Sequence, residues 1–165
     1  MKIFQIVTLS ELGGAQSVVV NLSNALSKEH EVIVIAGEGD GKMFQMLNSG
    51  IKYFKLNSLK RKISPVNEIR TICSFYQLYL KYKPDIIHLH SSKAGILGRL
   101  VFPKNKVIYT VHGFDSIRLI YKKYLPIERF LQNRCKAIVA VSKYDEKNLK
   151  TEHINHNVRC IYNGI

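Results

Sequence analysis

A chain of 165 residues suits one domain of common size, large enough to close a core without disulfides or structural metal. Its 46% apolar content excludes a disordered polymer, and no run approaches the roughly 18 apolar residues of a membrane-spanning helix. Lys and Arg number 25 against 12 Asp and Glu, an excess that speaks about partners: anionic lipid, nucleic acid or phosphorylated small molecules.

The elements alternate along the chain. Met1 to Val7 lacks the long apolar core and cleavage site of a secretion signal, so a cytosolic location is expected. Lys2 to Thr8 is predicted as a first strand, and Gly13-Gly14 breaks it. Ala15 to Ser27 is predicted as a helix with Val18, Leu22 and Leu26, four apart, on one apolar face. Glu31 to Ala36 is a second strand, then come the loop of Gly37, Gly39 and Gly41, a short helix from Met43 to Asn48, and a third strand from Ile51 to Leu56. After the basic loop Lys60-Arg61-Lys62, Pro65 suits the first turn of a helix running to about Lys83. Pro84-Asp85 ends it, and Ile86 to His90 is a fourth strand. Ser91 and Ser92 are capping types for the helix that carries Gly95, Leu97, Leu100 and Val101. Lys106 to Thr110 is a fifth strand. Ser116 to Arg134 is helical with a break at Pro126, Ala137 to Val141 a sixth strand, Lys143 to Thr151 a helix and Val158 to Tyr162 a last strand.

This alternation predicts an α/β fold, a Rossmann-like parallel sheet with helices on both faces. Unbroken apolar runs such as Ile138-Val139-Ala140-Val141 suit strands buried on both sides. The three cysteines, Cys73, Cys135 and Cys160, have no metal-like spacing and are expected to be core thiols.

Ligands of open α/β sheets bind beyond the carboxyl ends of the strands, which selects the loops to read. Gly13-Gly14 precedes a helix whose free N–H groups suit a phosphate, or it is a plain tight turn. The G-x-G-x-x-G fingerprint is absent, which disfavours NAD. His88 and His90 point to one face of their strand. They lack a completing set of ligands, so no metal is expected, and His88 reads as a buried, hydrogen-bonded histidine. His112, directly after an apolar strand and beside Gly113, is the best single candidate for substrate contact. It can donate or accept a hydrogen bond to a sugar hydroxyl or a phosphate oxygen, with Asp115 orienting it or binding hydroxyls. No G-x-S-x-G elbow supports a hydrolase. Ser91-Ser92-Lys93, with Arg99 about two turns further along the same helix, offers a diphosphate cradle, or Arg99 instead packs along the surface. Lys60, Arg61 and Lys62, with nearby Lys55, form one basic cluster. Arg118, Lys122 and Lys123 alternate with Leu119, Ile120, Tyr121, Tyr124 and Leu125 in a pattern that suits a membrane surface. No helix-turn-helix, zinc module or RNP pattern supports nucleic acid.

The ordered series resembles family 4 glycosyltransferases over essentially the whole chain. It consists of Gly13-Gly14-Ala15-Gln16, Pro84-Asp85-Ile86-Ile87-His88-Leu89-His90-Ser91-Ser92-Lys93-Ala94-Gly95, Thr110-Val111-His112-Gly113-Phe114, Val139-Ala140-Val141-Ser142 and Ile161-Tyr162-Asn163-Gly164-Ile165. The Ser-Ser-Lys-Ala-Gly and His-Gly-Phe versions are most similar to bacterial enzymes that build capsule, exopolysaccharide or glycan on a polyprenyl-diphosphate carrier. The resemblance implies the N-terminal half of a GT-B fold, receiving the acceptor while a C-terminal domain holds the nucleotide sugar, a UDP-sugar. It implies retention of anomeric configuration and needs no metal and no cofactor.

Carried over by position, the resemblance makes His112 the catalytic candidate that contacts the transferred sugar. Gly13 and Gly14, with Asp115, fall to the donor diphosphate and sugar. His90, Ser91, Ser92, Lys93 and Arg99 fall to the lipid-linked acceptor, and Lys60, Arg61, Lys62, Lys122 and Lys123 to an anionic membrane at the inner face of the cell. The family's acidic E-x7-E element is not in residues 1–165, which are expected to be one acceptor-side domain that ends at Asn163-Gly164-Ile165, before the donor domain. They are expected to be a piece of a longer enzyme, or a subunit working with a separate donor subunit, with negligible transfer alone. The competing readings are a non-catalytic module of the same fold that docks on a membrane or partner, and a nucleic-acid binder.

Overall fold

The computed structural model describes residues 1–120 and 122–164, so Tyr121 and Ile165, both used in the sequence reading, lie outside the described residues. Seven strands among these residues form one sheet: β1 (Lys2–Val7), β2 (Glu31–Ala36), β3 (Lys52–Lys55), β4 (Ile86–Leu89), β5 (Val107–Val111), β6 (Ala137–Ala140) and β7 (Val158–Cys160). Every pairing is parallel and the order is β3-β2-β1-β4-β5-β6-β7. The chain starts in the middle, grows to one side, then crosses back and grows to the other. That reversal lies between β1 and β4, where ligands of such sheets bind.

The helices are α1 (Gly14–Leu26), α2 (Lys42–Gln45), α3 (Pro65–Tyr82), α4 (Ser92–Val101), α5 (Leu125–Leu131) and α6 (Lys143–Thr151). Both sheet faces are covered, as expected. Val19 and Val20 of α1 and Met43 of α2 pack with Val7, Val32, Val34 and Ala36 in one core cluster. Phe75 of α3, Ala94 and Leu97 of α4, Leu125 of α5 and Leu149 of α6 join Phe4, Ile6, Ile87, Leu89 and Tyr109 in the other. Each fully buried aliphatic or Phe side chain contributes on the order of 1.5–3 kcal/mol.

Several local predictions shift. The buried residues of α1 are Gln16, Val19, Val20 and Ser23, while Val18, Leu22 and Leu26 are only partly covered. The buried face carries Val19, Val20 and Ser23 rather than the larger Leu22 and Leu26. The segment after Phe114 is not one helix broken at Pro126. It is a π turn (Ser116–Ile120), a 3-10 turn (Lys122–Tyr124), α5, and a second 3-10 turn (Gln132–Arg134). Pro126 sits in the first turn of α5, where its missing N–H has no partner to lose. Cys135 is buried, but Cys160 is half-buried and Cys73 is exposed on α3, so the three are not all core thiols.

Two stretches of the recognised motifs turn out to be architectural. The Asp85 carboxylate accepts a hydrogen bond from Lys2 N at 2.7 Å, tying the start of β4 to β1. Gly95 lets α4 rest on β5, because a Cβ there would overlap the Tyr109 ring.

Candidate functional site

The tips of β1, β4 and β5 bring Thr8, His90, Ser91 and His112 together. The Thr8 and Ser91 hydroxyls are 2.6 Å apart, and Thr8 N donates to Ser91 Oγ at 3.1 Å. Ser91 occupies the N-cap of α4, but its hydroxyl serves Thr8 and leaves the first turn without a side-chain cap. Gly13 likewise starts α1 without one. Two helix N-termini with uncapped N–H groups therefore end at the same rim, where partial positive charge favours an anion.

The histidines form a stack. His88 Nε2 lies 2.7 Å from Thr110 Oγ1, and its ring centre is 3.8 Å from that of His90. His90 is fully buried, with Nε2 2.6 Å from Gln5 Oε1 and Nδ1 3.2 Å from His112 Nε2. Both nitrogens of His90 are thus engaged inside the protein. Burial pushes His88 down to about 4, with the nearby His112 adding to it. Burial also holds His90 well below the ordinary imidazole range. His112 is lowered by burial too, although Asp145 pulls it upward. Burial thus favours the neutral form of all three rings.

His112 is held by its loop. Gly113 adopts φ +76°, a left-handed conformation in which a Cβ would be strained. The next amide, Phe114 N, donates to Asp145 Oδ1 at 2.9 Å. Asp145 belongs to the start of α6, where Ser142 Oγ accepts from Asp145 N at 3.0 Å and donates to Asp145 Oδ2 at 2.7 Å. Sequence reading missed both Asp145 and Gln5. The Ser142-Lys143-Tyr144-Asp145 spacing is a helix-capping signal, and Gln5 is the one polar side chain inside an apolar strand run.

A cavity of about 530 Å³ opens onto this cluster. His90, Ser91, Ser92, Lys93, His112 and Gly113 line it with Thr8, Gln16, Arg61 and Glu68. Ile63, Ile96, Leu97, Ile117, Tyr124 and Ile127 supply an apolar wall. A polar mouth with an apolar flank suits a polar ligand that carries apolar surface.

Other candidates sit differently. Lys93 is at the mouth but engaged, 2.6 Å from Glu68 Oε1 and donating to Lys62 O at 2.8 Å. Gly13 and Gly14 stand at the start of α1 outside the cavity lining, and nothing lies within 4 Å of a Cβ placed at Gly14. Asp115 accepts from Arg118 Nη2 at 2.9 Å and from Tyr144 OH at 3.1 Å, so its carboxylate faces those side chains. Arg99 is the clear correction. It neither reaches the rim nor lies on the surface: it is fully buried, donating to Gly95 O at 2.9 Å and to Glu128 Oε2 at 2.6 Å, and stacks 4.3 Å from the Tyr109 ring centre. Glu128 sits 29 residues away in sequence on α5, so nothing in the Arg99 motif announced it.

Of the surface basic residues, Arg61 lines the cavity and Lys60 and Lys62 are exposed beside it. Lys122 and Lys123 are exposed on the other flank, next to Leu119 and Ile120 at 55% and 72% exposure. Arg118 from that segment is taken up by Asp115. Among the described residues, no group of three or more His, Cys, Asp or Glu side chains is placed to hold a metal ion. No helix among them is long and apolar enough to cross a membrane.

A seven-stranded, all-parallel Rossmann-like sheet with its polar cluster at the strand tips defines one α/β half of the GT-B architecture. Residues 12–165 match the sequence profile described as Glycosyltransferase Family 4, and the chain belongs to that family. The Escherichia coli UDP-Gal:alpha-D-GlcNAc-diphosphoundecaprenol alpha-1,3-galactosyltransferase is 33% identical over 132 residues, 74% of this chain and 34% of that protein. An uncharacterised 41.2 kDa protein of the Klebsiella pneumoniae cps region is 30% identical over 165 residues, covering 93% of this chain and 44% of that one. The chain thus spans a third to under half of these relatives. Anabaena HepE, solved in complex with UDP and glucose, superposes with a TM-score of 0.78 at 18% identity, over 100% of this chain and 45% of its own; at that identity the likeness shows the fold.

Proposed function

We propose that this chain is the acceptor-side half of a retaining glycosyltransferase. The reaction moves a sugar from a UDP-sugar onto a glycan carried on a polyprenyl diphosphate, at the inner face of the cell membrane. The observation that carries this reading is the His90–His112 pair, set at the cavity beside two uncapped helix starts. His112 meets the transferred sugar. Ser91, Ser92 and Lys93 meet the acceptor diphosphate, with Lys93 exchanging Glu68 for a phosphate oxygen. Gly14 has no packing reason to be glycine, which suits close approach of the donor diphosphate to the backbone. The donor nucleotide and the remaining catalytic groups belong to the other half. The E. coli relative, by its name, uses UDP-Gal and a diphosphoundecaprenol acceptor, which supports both substrate classes here.

The membrane part of the reading gains support from α3. Val66, Ile69, Cys73, Tyr76 and Leu80 form one stripe at alternating spacings of three and four, and all are exposed. Lys60, Arg61 and Lys62 precede the helix, and Arg70, Lys81 and Lys83 flank the stripe. An apolar stripe edged with cations suits the surface of an anionic bilayer. The same face also favours a second reading, a non-catalytic module that docks on a membrane.

The test is transfer of labelled sugar from a panel of UDP-sugars to a polyprenyl-diphosphate-linked glycan by this chain joined to a donor half, with the chain alone as control. Transfer by the joined protein and negligible transfer by the chain alone are expected. Ready transfer by the chain alone contradicts the half-enzyme reading. No transfer from any UDP-sugar by a folded joined protein favours the docking module.

A further inference from the structure

We propose that Gln5, acting through His90, fixes His112 in the tautomer with its proton on Nε2, so that the imidazole offers the cavity an unprotonated Nδ1 that accepts a hydrogen bond from a substrate hydroxyl. The identity of that substrate as a sugar rests on the function proposed above; the tautomer does not.

Gln5 of β1 is paired in register with His88 of β4, which places it on the same sheet face as His90. Its Oε1 faces His90 Nε2 at 2.6 Å. An amide oxygen only accepts, so His90 Nε2 carries the proton. A neutral imidazole has one such proton, and burial keeps this ring neutral, so His90 Nδ1 is bare. That bare nitrogen lies 3.2 Å from His112 Nε2. Two bare nitrogens cannot bond, so His112 Nε2 is the donor. His112 is itself held toward the neutral form, and its only proton is then spent inward. His112 lines the cavity, and its Nδ1 makes no hydrogen bond within the described residues.

The consequence is a choice of ligand chemistry. A lone pair attracts an O–H group and repels a phosphate oxygen. His112 therefore reads a hydroxyl, and the phosphates are left to the helix starts and Lys93. Gln5 and His90 are positioning residues in this scheme, since each acts through its neighbour and not on substrate. A glutamine in the middle of a buried strand is costly to keep unless its amide has such a task.

The experiment is long-range 1H–15N NMR of the uniformly 15N-labelled chain at pH 7, which distinguishes the protonated ring nitrogen from the bare one. The expected result is Nε2–H with bare Nδ1 for both His90 and His112. Nδ1–H on either ring overturns the proposal, and is what the opposite orientation of the Gln5 amide would give. Gln5→Leu and His90→Phe are each expected to turn the single His112 tautomer into a mixture. An unchanged His112 spectrum in either variant overturns the relay. If neither variant folds, the wild-type spectrum still decides the tautomer. Absence of sugar transfer by the joined protein would refute the enzymatic reading and leave this assignment intact.

Discussion

Two polar clusters sit within a few residues of each other along the chain, and they behave in opposite ways. His90 and His112 stack at the strand tips, and His112 lines the cavity with its Nδ1 unbonded within the described residues. Arg99, on the next helix, turns inward and closes on Glu128. Both belong to stretches that look like ligand-binding sequence. The difference lies in their partners: Gln5 and Asp145 hold the histidine cluster from behind and leave its front open, while Glu128 and Tyr109 enclose the guanidinium. A basic residue in a motif therefore says little about exposure. Its counter-charge decides, and that counter-charge comes from another element.

The sharpest way to break this contrast is to remove one member of the interior pair. Arg99→Leu or Glu128→Leu alone strands a buried charge and is expected to cost about 3–5 kcal/mol in urea unfolding, with the double variant recovering most of it. A single-variant loss below about 1 kcal/mol would mean that the pair is not closed.

Acid is the next probe, acting on the histidine side. His88 falls from 6.5 to about 4 on folding because burial disfavours its charged form. Between those values the unfolded chain binds more protons. The stabilisation is therefore complete above pH 6.5 and lost as pH falls toward 4, an effect of roughly 3 kcal/mol. Melting temperatures from pH 7 to 4 should drop less steeply in His88→Gln than in the wild type. Parallel curves would remove His88 from the account.

Gly95→Ala separates architecture from binding inside one motif. Its methyl would press on the Tyr109 ring, and a stability loss of about 1–3 kcal/mol is expected by thermal melting. No loss would mean that the ring has room to move. The smallest effect belongs to the surface. Lys60→Ala should leave melting unchanged and weaken binding to anionic vesicles about fivefold. Unchanged vesicle binding would move the membrane contact elsewhere.

The sheet was legible because its signals are local. Apolar runs such as Val32 to Ala36 are followed within a few residues by glycine or serine, and the helices between them keep their period. The rim was legible for the same reason, since the residues that follow a parallel strand must stand at its tip. Three things were not. The rotation of α1 was ambiguous because Val19, Val20 and Ser23 fit the helical period as well as Val18, Leu22 and Leu26 do. The segment after Phe114 has a helical pattern yet winds as short turns that bring Ile117 and Leu125 into the core. The roles of Gln5, Arg99 and Asp145 depend on partners 85, 29 and 31 residues distant, and no spacing rule reaches that far.

The central claim is that the histidine rim works on substrate and the interior pair on folding. The most direct test is His112→Ala in the chain joined to a donor half, with sugar transfer and melting temperature read on one sample. The account predicts transfer lowered about a hundredfold or more while the melting temperature falls by only a few degrees, the cost of leaving the buried His90 Nδ1 unpaired. Transfer at the wild-type rate by the folded variant would contradict it.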